Sequence, residues 1–262
     1  MKKALLLSLL LLPAWLGAQV INKVDPLECH IVGVNVSGIV PSSLVAQQGN
    51  MRDLYKPPYL GFGVEGLYKY KNNFMLTLEG NITMGSDNLT LRTDRMPDVF
   101  TRDSIIIGMG GYDAMVTCYN RGLDLKVGLG YIFKLNDKNP NSGVLARVSG
   151  GWMTNKTVFM LNDAKAPQVE QPYDALYDHR RSGWMLTEGI GYQFMSNHKT
   201  LVNIYAIFEV SQCWSHSTRN YVIDEVMGLH GPDNNKYFDL LYSLKICWMI
   251  PLTGRPAYDY YF

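Results

Sequence analysis

Histidines, cysteines and alternating carboxylates are the residues of this chain that could do chemistry. His216 lies in the stretch Trp214-Ser215-His216-Ser217. Residues on one face of a strand are two apart, so serines directly flanking a histidine have the wrong spacing for a strand-borne nucleophile and base. His179 stands beside Asp178, Arg180 and Arg181. That cluster could bind a phosphate or a carboxylate, but charged loops are common, and a solvated loop is the expected reading. Cys29, Cys118, Cys213 and Cys247 contain no Cys-x-x-Cys pair, so no zinc site is expected. If the sheet closes, Cys29 and Cys247 fall on neighbouring strands, and the sequence leaves a bridge between them open, as it does between Cys118 and Cys213. Gly108-Met109-Gly110-Gly111 lacks the strand-to-helix setting of a phosphate loop. No catalytic group, cofactor or metal is expected.

The elements that carry these residues are strands. In Gly122–Leu135, GLDLKVGLGYIFKL, every second residue is large and apolar, and the intervening ones are charges and glycines. The same alternation recurs in Cys29–Val40, Tyr59–Tyr70, Phe74–Gly85, Val144–Asn155, Trp184–Met195, Leu201–Trp214 and Tyr237–Ile250. At about twelve residues, these strands are longer than is usual in soluble sheets and long enough to cross a bilayer at a tilt. The links Lys71–Asn73, Asn136–Gly143 and Ser196–Thr200 are short, and the other links are long. The longest, Ser86–Arg121, has room for extra strand near Ile105–Tyr119. The expectation is an all-β, eight-stranded antiparallel up-and-down transmembrane β-barrel, with short periplasmic turns and long extracellular loops.

One face of these strands is apolar and would meet lipid. The other would line the lumen with Glu65, Lys69, Glu79, Asp124, Lys126, Lys134, Arg147, Glu209, Asp239 and Lys245, five charges of each sign. An eight-stranded lumen is filled by side chains, so these charges should form a packed neutral network. Pairing across Lys71–Asn73 sets Glu65 opposite Glu79, and Arg147 and Lys245 fall at a similar height. A soluble barrel of the lipocalin kind would have the opposite polarity. Two aromatic belts are expected at the membrane interfaces. Tyr68, Tyr70, Phe74, Tyr131, Phe133, Tyr192, Phe194 and Trp248 belong to the short-turn side, and Trp152, Trp184 and Trp214 to the other. Glu188 breaks the pattern, since its parity is that of the lipid face. Either a bulge near Thr187 shifts the register, or the residue lies above the membrane.

Residues 1–18 have the charged start, apolar core and small-residue end of a secretory signal peptide. Residues 19–28 would be a periplasmic segment, 29–250 the barrel and 251–262 a periplasmic aromatic tail. Pro251 should end the last strand. Tyr258, Tyr260 and Phe262 alternate in that tail and could add to a partner's sheet edge. The net charge of +1 gives no footprint for nucleic acid.

On these residues the chain resembles the small outer-membrane β-barrels of Gram-negative bacteria, the OmpX and OmpA-transmembrane-domain class. The LGAQ end of the signal and the GIGYQF strand are similar to barrels of the Bacteroidota, and Asp103-Ser104-Ile105 resembles an O-glycosylation site of that phylum. The resemblance implies an integral protein of the cell outer membrane, in contact with outer-membrane lipid and handled by the barrel-assembly machinery through its terminal Phe262. The expected role is non-enzymatic: a scaffold presenting surface loops, or an accessory subunit of an envelope or secretion assembly. A rim hydrolase acting on lipid A or peptide, and a narrow channel, are the alternatives.

Overall fold

The computed structural model describes residues 28–45, 50–87, 106–135, 139–162, 165–196, 203–219, 222–224 and 228–252. Eight long strands form the barrel: β1 (Cys29–Pro41), β2 (Tyr55–Lys69), β3 (Phe74–Asp87), β4 (Asp113–Lys134), β5 (Gly143–Asn162), β6 (Arg181–Met195), β7 (Asn203–Ser217) and β8 (Lys236–Leu252). Each pairs antiparallel with its sequence neighbour, and β8 pairs back onto β1. The ring therefore closes and leaves no sheet edge. Three short strands stand outside it: Ile106–Ile107, which pairs with the start of β4, and Val222–Asp224 with Gly228–His230. A four-residue helix, α1 (Met51–Leu54), precedes β2.

The strict alternation of side chains reads directly as burial. In β1, Val32, Val34 and Val36 are exposed, whereas Asn35 and Ser37 between them are buried. On β2 and β3, Val64 is 62% and Leu78 60% exposed, but Glu65 is 3% and Glu79 2%. This is a soluble barrel turned inside out, and it excludes the lipocalin polarity. Such a surface is stable only against hydrocarbon.

Strand limits differ from those read in the sequence mainly at the long-loop end. β4 and β5 are 22 and 20 residues long, against 13 to 17 for the other six strands. Their extra residues continue as a paired hairpin from Met115↔Asn162 to Gly122↔Asn155. That extension has its own small core, in which Ile106, Ala114, Ala166, Val169 and Tyr177 are buried. β8 also runs past Pro251, which pairs with Ile31. Among the described residues, pairing of β8 with β7 stops at Trp248↔Ile204, so the missing Pro251 N–H costs no ladder bond there. The signal segment, Asp103-Ser104-Ile105 and the tail residues Tyr258, Tyr260 and Phe262 lie outside the described residues.

Glycine makes room in the crowded lumen. A Cβ at Gly63 would lie 1.9 Å from Asn81 Oδ1 and 2.7 Å from the Gly80 carbonyl oxygen, whereas one at outward-facing Gly66 would meet nothing within 4 Å. Gly63→Ala should therefore cost about 1–3 kcal/mol by overpacking, and Gly66→Ala should stay within about 0.5 kcal/mol. Urea midpoints of the two variants in micelles, read from the folded band in unheated gels, check this pair.

Candidate functional site

The centre of the lumen is an ion cluster assembled from six strands. Glu65 comes from β2, Glu79 from β3, Lys126 from β4, Arg147 from β5, Glu209 from β7 and Lys245 from β8. The β2–β3 register sets Glu65 directly opposite Glu79. Arg147 bridges three carboxylates: Nη1 lies 3.2 Å from Glu65 Oε2, and Nη2 lies 3.2 Å from Glu79 Oε2 and 2.5 Å from Glu209 Oε1. Lys245 Nζ lies 2.5 Å from Glu79 Oε1 and 2.8 Å from Glu209 Oε2. Lys126 Nζ approaches Glu79 Oε1 at 3.1 Å and Asp124 Oδ2 at 3.6 Å. Three cations thus meet three glutamates, with Asp124 at the margin.

Neutral groups complete the network. Tyr205 Oη donates to Glu65 Oε2 at 2.7 Å and accepts from Arg147 Nη1 at 3.1 Å. Cys247 Sγ donates to Glu65 Oε1 at 3.0 Å. Asn81 Nδ2 donates to Glu79 Oε1 at 2.6 Å and to Asp124 Oδ2 at 2.7 Å. Multiple charge-assisted bonds to each carboxylate offset the loss of hydration that burial imposes. Gly33 and Gly189 face this cluster. A Cβ at Gly33 would lie 2.6 Å from Cys247 Sγ, and one at Gly189 3.0 Å from Glu209 Cγ. Charge and glycine share a face because the charges need the space that the glycines leave.

The cluster is sealed above and below. Toward the short turns, Ile31, Leu67, Met75, Ile132, Leu145 and Met249 form an apolar plug. Lys69 is buried at that end, and Lys134 is exposed there. Toward the long loops, Met51, Leu54, Tyr55, Tyr59, Met153 and Met185 form a second apolar layer. It holds another ion pair, Arg181 Nη1 to Asp239 Oδ2 at 3.3 Å. Asp239 Oδ1 also accepts from the backbone N–H of Met51 at 2.6 Å, which ties α1 down over the lumen.

The sequence reading placed Asp239 in the lumen but assigned Arg181 to a loop. Its parity with Met185 was the available signal. Tyr205, Asn81 and Cys247 are further members of the central network that the charge pattern alone did not pick out.

The remaining candidates are not brought together. His216 is exposed on the outward face of β7, and Ser215 and Ser217 are buried on the inward one. Asp178 Oδ1 accepts from the Arg180 backbone N–H at 3.0 Å, a local turn next to His179. Burial raises the Asp178 carboxyl above its ordinary range, with the Arg180 N–H opposing the shift. All four cysteines are buried, and none forms a disulfide with another described residue. Cys247 pairs with Asn35, six positions along β1 from Cys29, and Cys118 on β4 has no pairing with Cys213 on β7. Register therefore rules out both of the bridges that the sequence left open.

The outward aromatics fall into two groups. At the long-loop side, Trp152, Trp184, Trp214 and Phe238 are successive register partners, with Trp152 and Trp184 rings 5.2 Å apart and Trp214 and Phe238 5.7 Å apart. At the short-turn side, Tyr68 contacts Tyr70 at 4.6 Å, Tyr131 contacts Phe133 at 4.8 Å and Phe74 at 6.5 Å, and Tyr192, Phe194 and Trp248 are exposed.

No family model matches the sequence, and no curated protein matches it. Among solved structures the chain is similar to Ail, the attachment invasion locus protein of Yersinia pestis, at 11% identity over 85% of this chain and 97% of that one, TM-score 0.35. It is also similar to the outer membrane protein OprG from Pseudomonas aeruginosa, at 12% identity over 86% and 97%, TM-score 0.38. Neisserial surface protein A shares 10% identity over 84% and 96%, TM-score 0.36. The fold assignment rests on the closed register of the eight strands, and that architecture is the one shared by small outer-membrane β-barrels.

Removing one cation from the central cluster leaves carboxylates uncompensated. Lys245→Met should destabilise the barrel by about 3–5 kcal/mol. Adding Glu209→Gln restores the balance, so the double variant should lose less than the single one. Urea titrations of wild type, both single variants and the double variant measure the coupling.

Proposed function

We propose that this protein is a non-conducting outer-membrane barrel that serves as a scaffold for a structured extracellular surface. The observation that carries the reading is the β4–β5 hairpin, which projects past the tryptophan row and has a core of its own. A strand pair needed only to cross the membrane would end at the interface. The lumen supports the same reading, since three successive layers of side chains occupy it and leave a void of only about 50 Å³ beside Lys126, Glu209 and Lys245.

Residues from separate loops are tied together above the barrel. Arg219 Nη1 donates to the Leu176 carbonyl at 3.1 Å, and Nη2 pairs with Asp233 Oδ2 at 2.7 Å. One guanidinium thus joins the loops that precede β6 and follow β7. Burial acts to raise the Asp233 carboxyl. Hydrogen bonds from Ser217, the Asn235 backbone N–H and Arg219, with the Arg219 charge, outweigh it and hold the group below the ordinary carboxylate range. A depressed carboxyl stabilises the fold above its unfolded value, and that contribution is lost as pH falls through the folded value. Protection against hydrogen exchange in 228–235, taken relative to the intrinsic rate at each pH, should therefore fall on acidification below the ordinary carboxylate range, with protection of the β1–β8 ladders unchanged.

The buried native cysteines make topology directly measurable. Single cysteines at Tyr112, 79% exposed, and Leu44, 80% exposed, lie at the long-loop end. One at exposed Lys71 lies at the short-turn end. A membrane-impermeant maleimide should label Tyr112→Cys and Leu44→Cys on intact cells, and Lys71→Cys only after permeabilisation. The reverse pattern would overturn the surface role. Conductance in planar bilayers should stay at the lipid baseline, and discrete ion-conducting steps would restore the channel alternative.

A further inference from the structure

Glu188 is the residue that the barrel's polarity does not explain. Neither explanation offered by the sequence holds. Pairing of β6 is unbroken on both sides, Val148↔Glu188 and Glu188↔Val210, so no bulge reverses its direction. Along its own strand it stands four residues from Tyr192 of one aromatic group and four from Trp184 of the other. At about 3.4 Å per residue, each is about 13 Å away along a tilted strand, so Glu188 lies at the middle of the apolar band rather than above it. It is exposed there, and it makes no hydrogen bond or ion pair with any described residue.

Beside it the lipid face is indented. Phe74, Tyr131, Ala146, Ile190 and Phe208 follow one another as register partners around the barrel. Ala146 is the small member of the row, and the others stand up around it. The result is an open groove of about 650 Å³ lined by those five residues, by Glu188, and by the adjoining stretches of their strands, among them Val148, Val210 and the wall at Arg147, whose side chain turns inward. Its make-up is that of a small-molecule site: apolar walls and one outward-facing polar side chain that would fix orientation. A carboxylate against hydrocarbon is costly unless it meets a partner. As a carboxylate it only accepts hydrogen bonds, so the partner must bring donors and positive charge.

We propose that this groove binds a hydrophobic amine from the lipid phase, its apolar body lying over Ala146 and its ammonium group on the Glu188 carboxylate. Ala146 matters for shape and Glu188 for charge, so the two residues can be tested separately. The proposal rests on the membrane placement of the apolar face but is independent of what the surface loops do.

Trp152, Trp184 and Trp214 lie on the same face as the groove, so they can report on it. The protein in nanodiscs is titrated with a bromine-tagged long-chain alkylamine, and tryptophan quenching is read against the alcohol and the carboxylic acid of equal chain length. The amine should quench with at least tenfold higher apparent affinity than either. Glu188→Gln should abolish that preference, and Ala146→Phe should weaken amine binding at least tenfold with Glu188 in place. Equal quenching by all three head groups, or an amine preference that survives in Glu188→Gln, would overturn the proposal. Brominated phospholipid, which should quench all variants alike, separates a failed site from a failed membrane placement: without that quenching the placement itself is wrong. A Cys at Val148 that crosslinks to itself in wild type but not in Glu188→Gln would assign the groove to a dimer instead.

Discussion

Hydrocarbon offers no partner to a backbone N–H or C=O, and the rest of this structure depends on that constraint. A sheet can satisfy it only by closing. Closure with eight strands makes a ring with a lumen about as wide as the side chains that point into it. Outward positions must then be apolar, and every polar side chain in the spanning region goes to the one remaining place. The charges are inside because the geometry leaves them nowhere else, and they must balance because they are inside. Three basic groups set among Glu65, Glu79 and Glu209 supply that balance at the centre of the lumen.

Such a cluster adds less to stability than its many contacts suggest, since each ion gave up its hydration to enter. Its value is as a fastener of register. Arg147 touches residues of β2, β3 and β7 from its place on β5, and Lys245 reaches β3 and β7 from β8. Apart from Lys245–Glu209 on adjacent strands, these contacts cross the lumen and do not run along the ladders. A shift of any strand by one residue would turn its charged member outward and break the set. The apolar plugs above and below have no such directionality, and they lower the polarity of the cluster's surroundings and so strengthen it.

Alternation carried the eight strands, the two faces and the Glu65–Glu79 apposition in the sequence, because the bilayer imposes a sharp polarity contrast between successive residues. Where that contrast ends, so did the legibility. Beyond the interface the β4–β5 hairpin has Val116 and Phe159 partly buried against a loop core, and neither face is uniformly wet or greasy. Extra strand near Ile105–Tyr119 was still legible, but the matching extension of β5 was hidden, and so was Arg181, which sits within a run of charges that also suits a loop. Parity tells which face a residue takes but not its height. For that reason Cys29 and Cys247 looked like neighbours, although the register separates them.

Glu188 obeys parity and violates the rule that parity serves. A sequence reading resolves such a conflict by moving the residue, through a bulge or out of the membrane, since both repairs leave the barrel ideal. The register permits neither. What remains is a carboxylate whose cost is borne by the unliganded barrel, next to a place where the small Ala146 thins the wall's outer surface between Tyr131 and Ile190. A barrel selected only for stability would carry Val or Leu there, as its register neighbours Val148 and Val210 do. Departures of this kind, where local rules hold all around a residue and fail at it, mark positions at which something other than the fold sets the residue type. In a chain whose interior is wholly committed to holding itself shut, the outer wall is where a membrane ligand can still reach a charge.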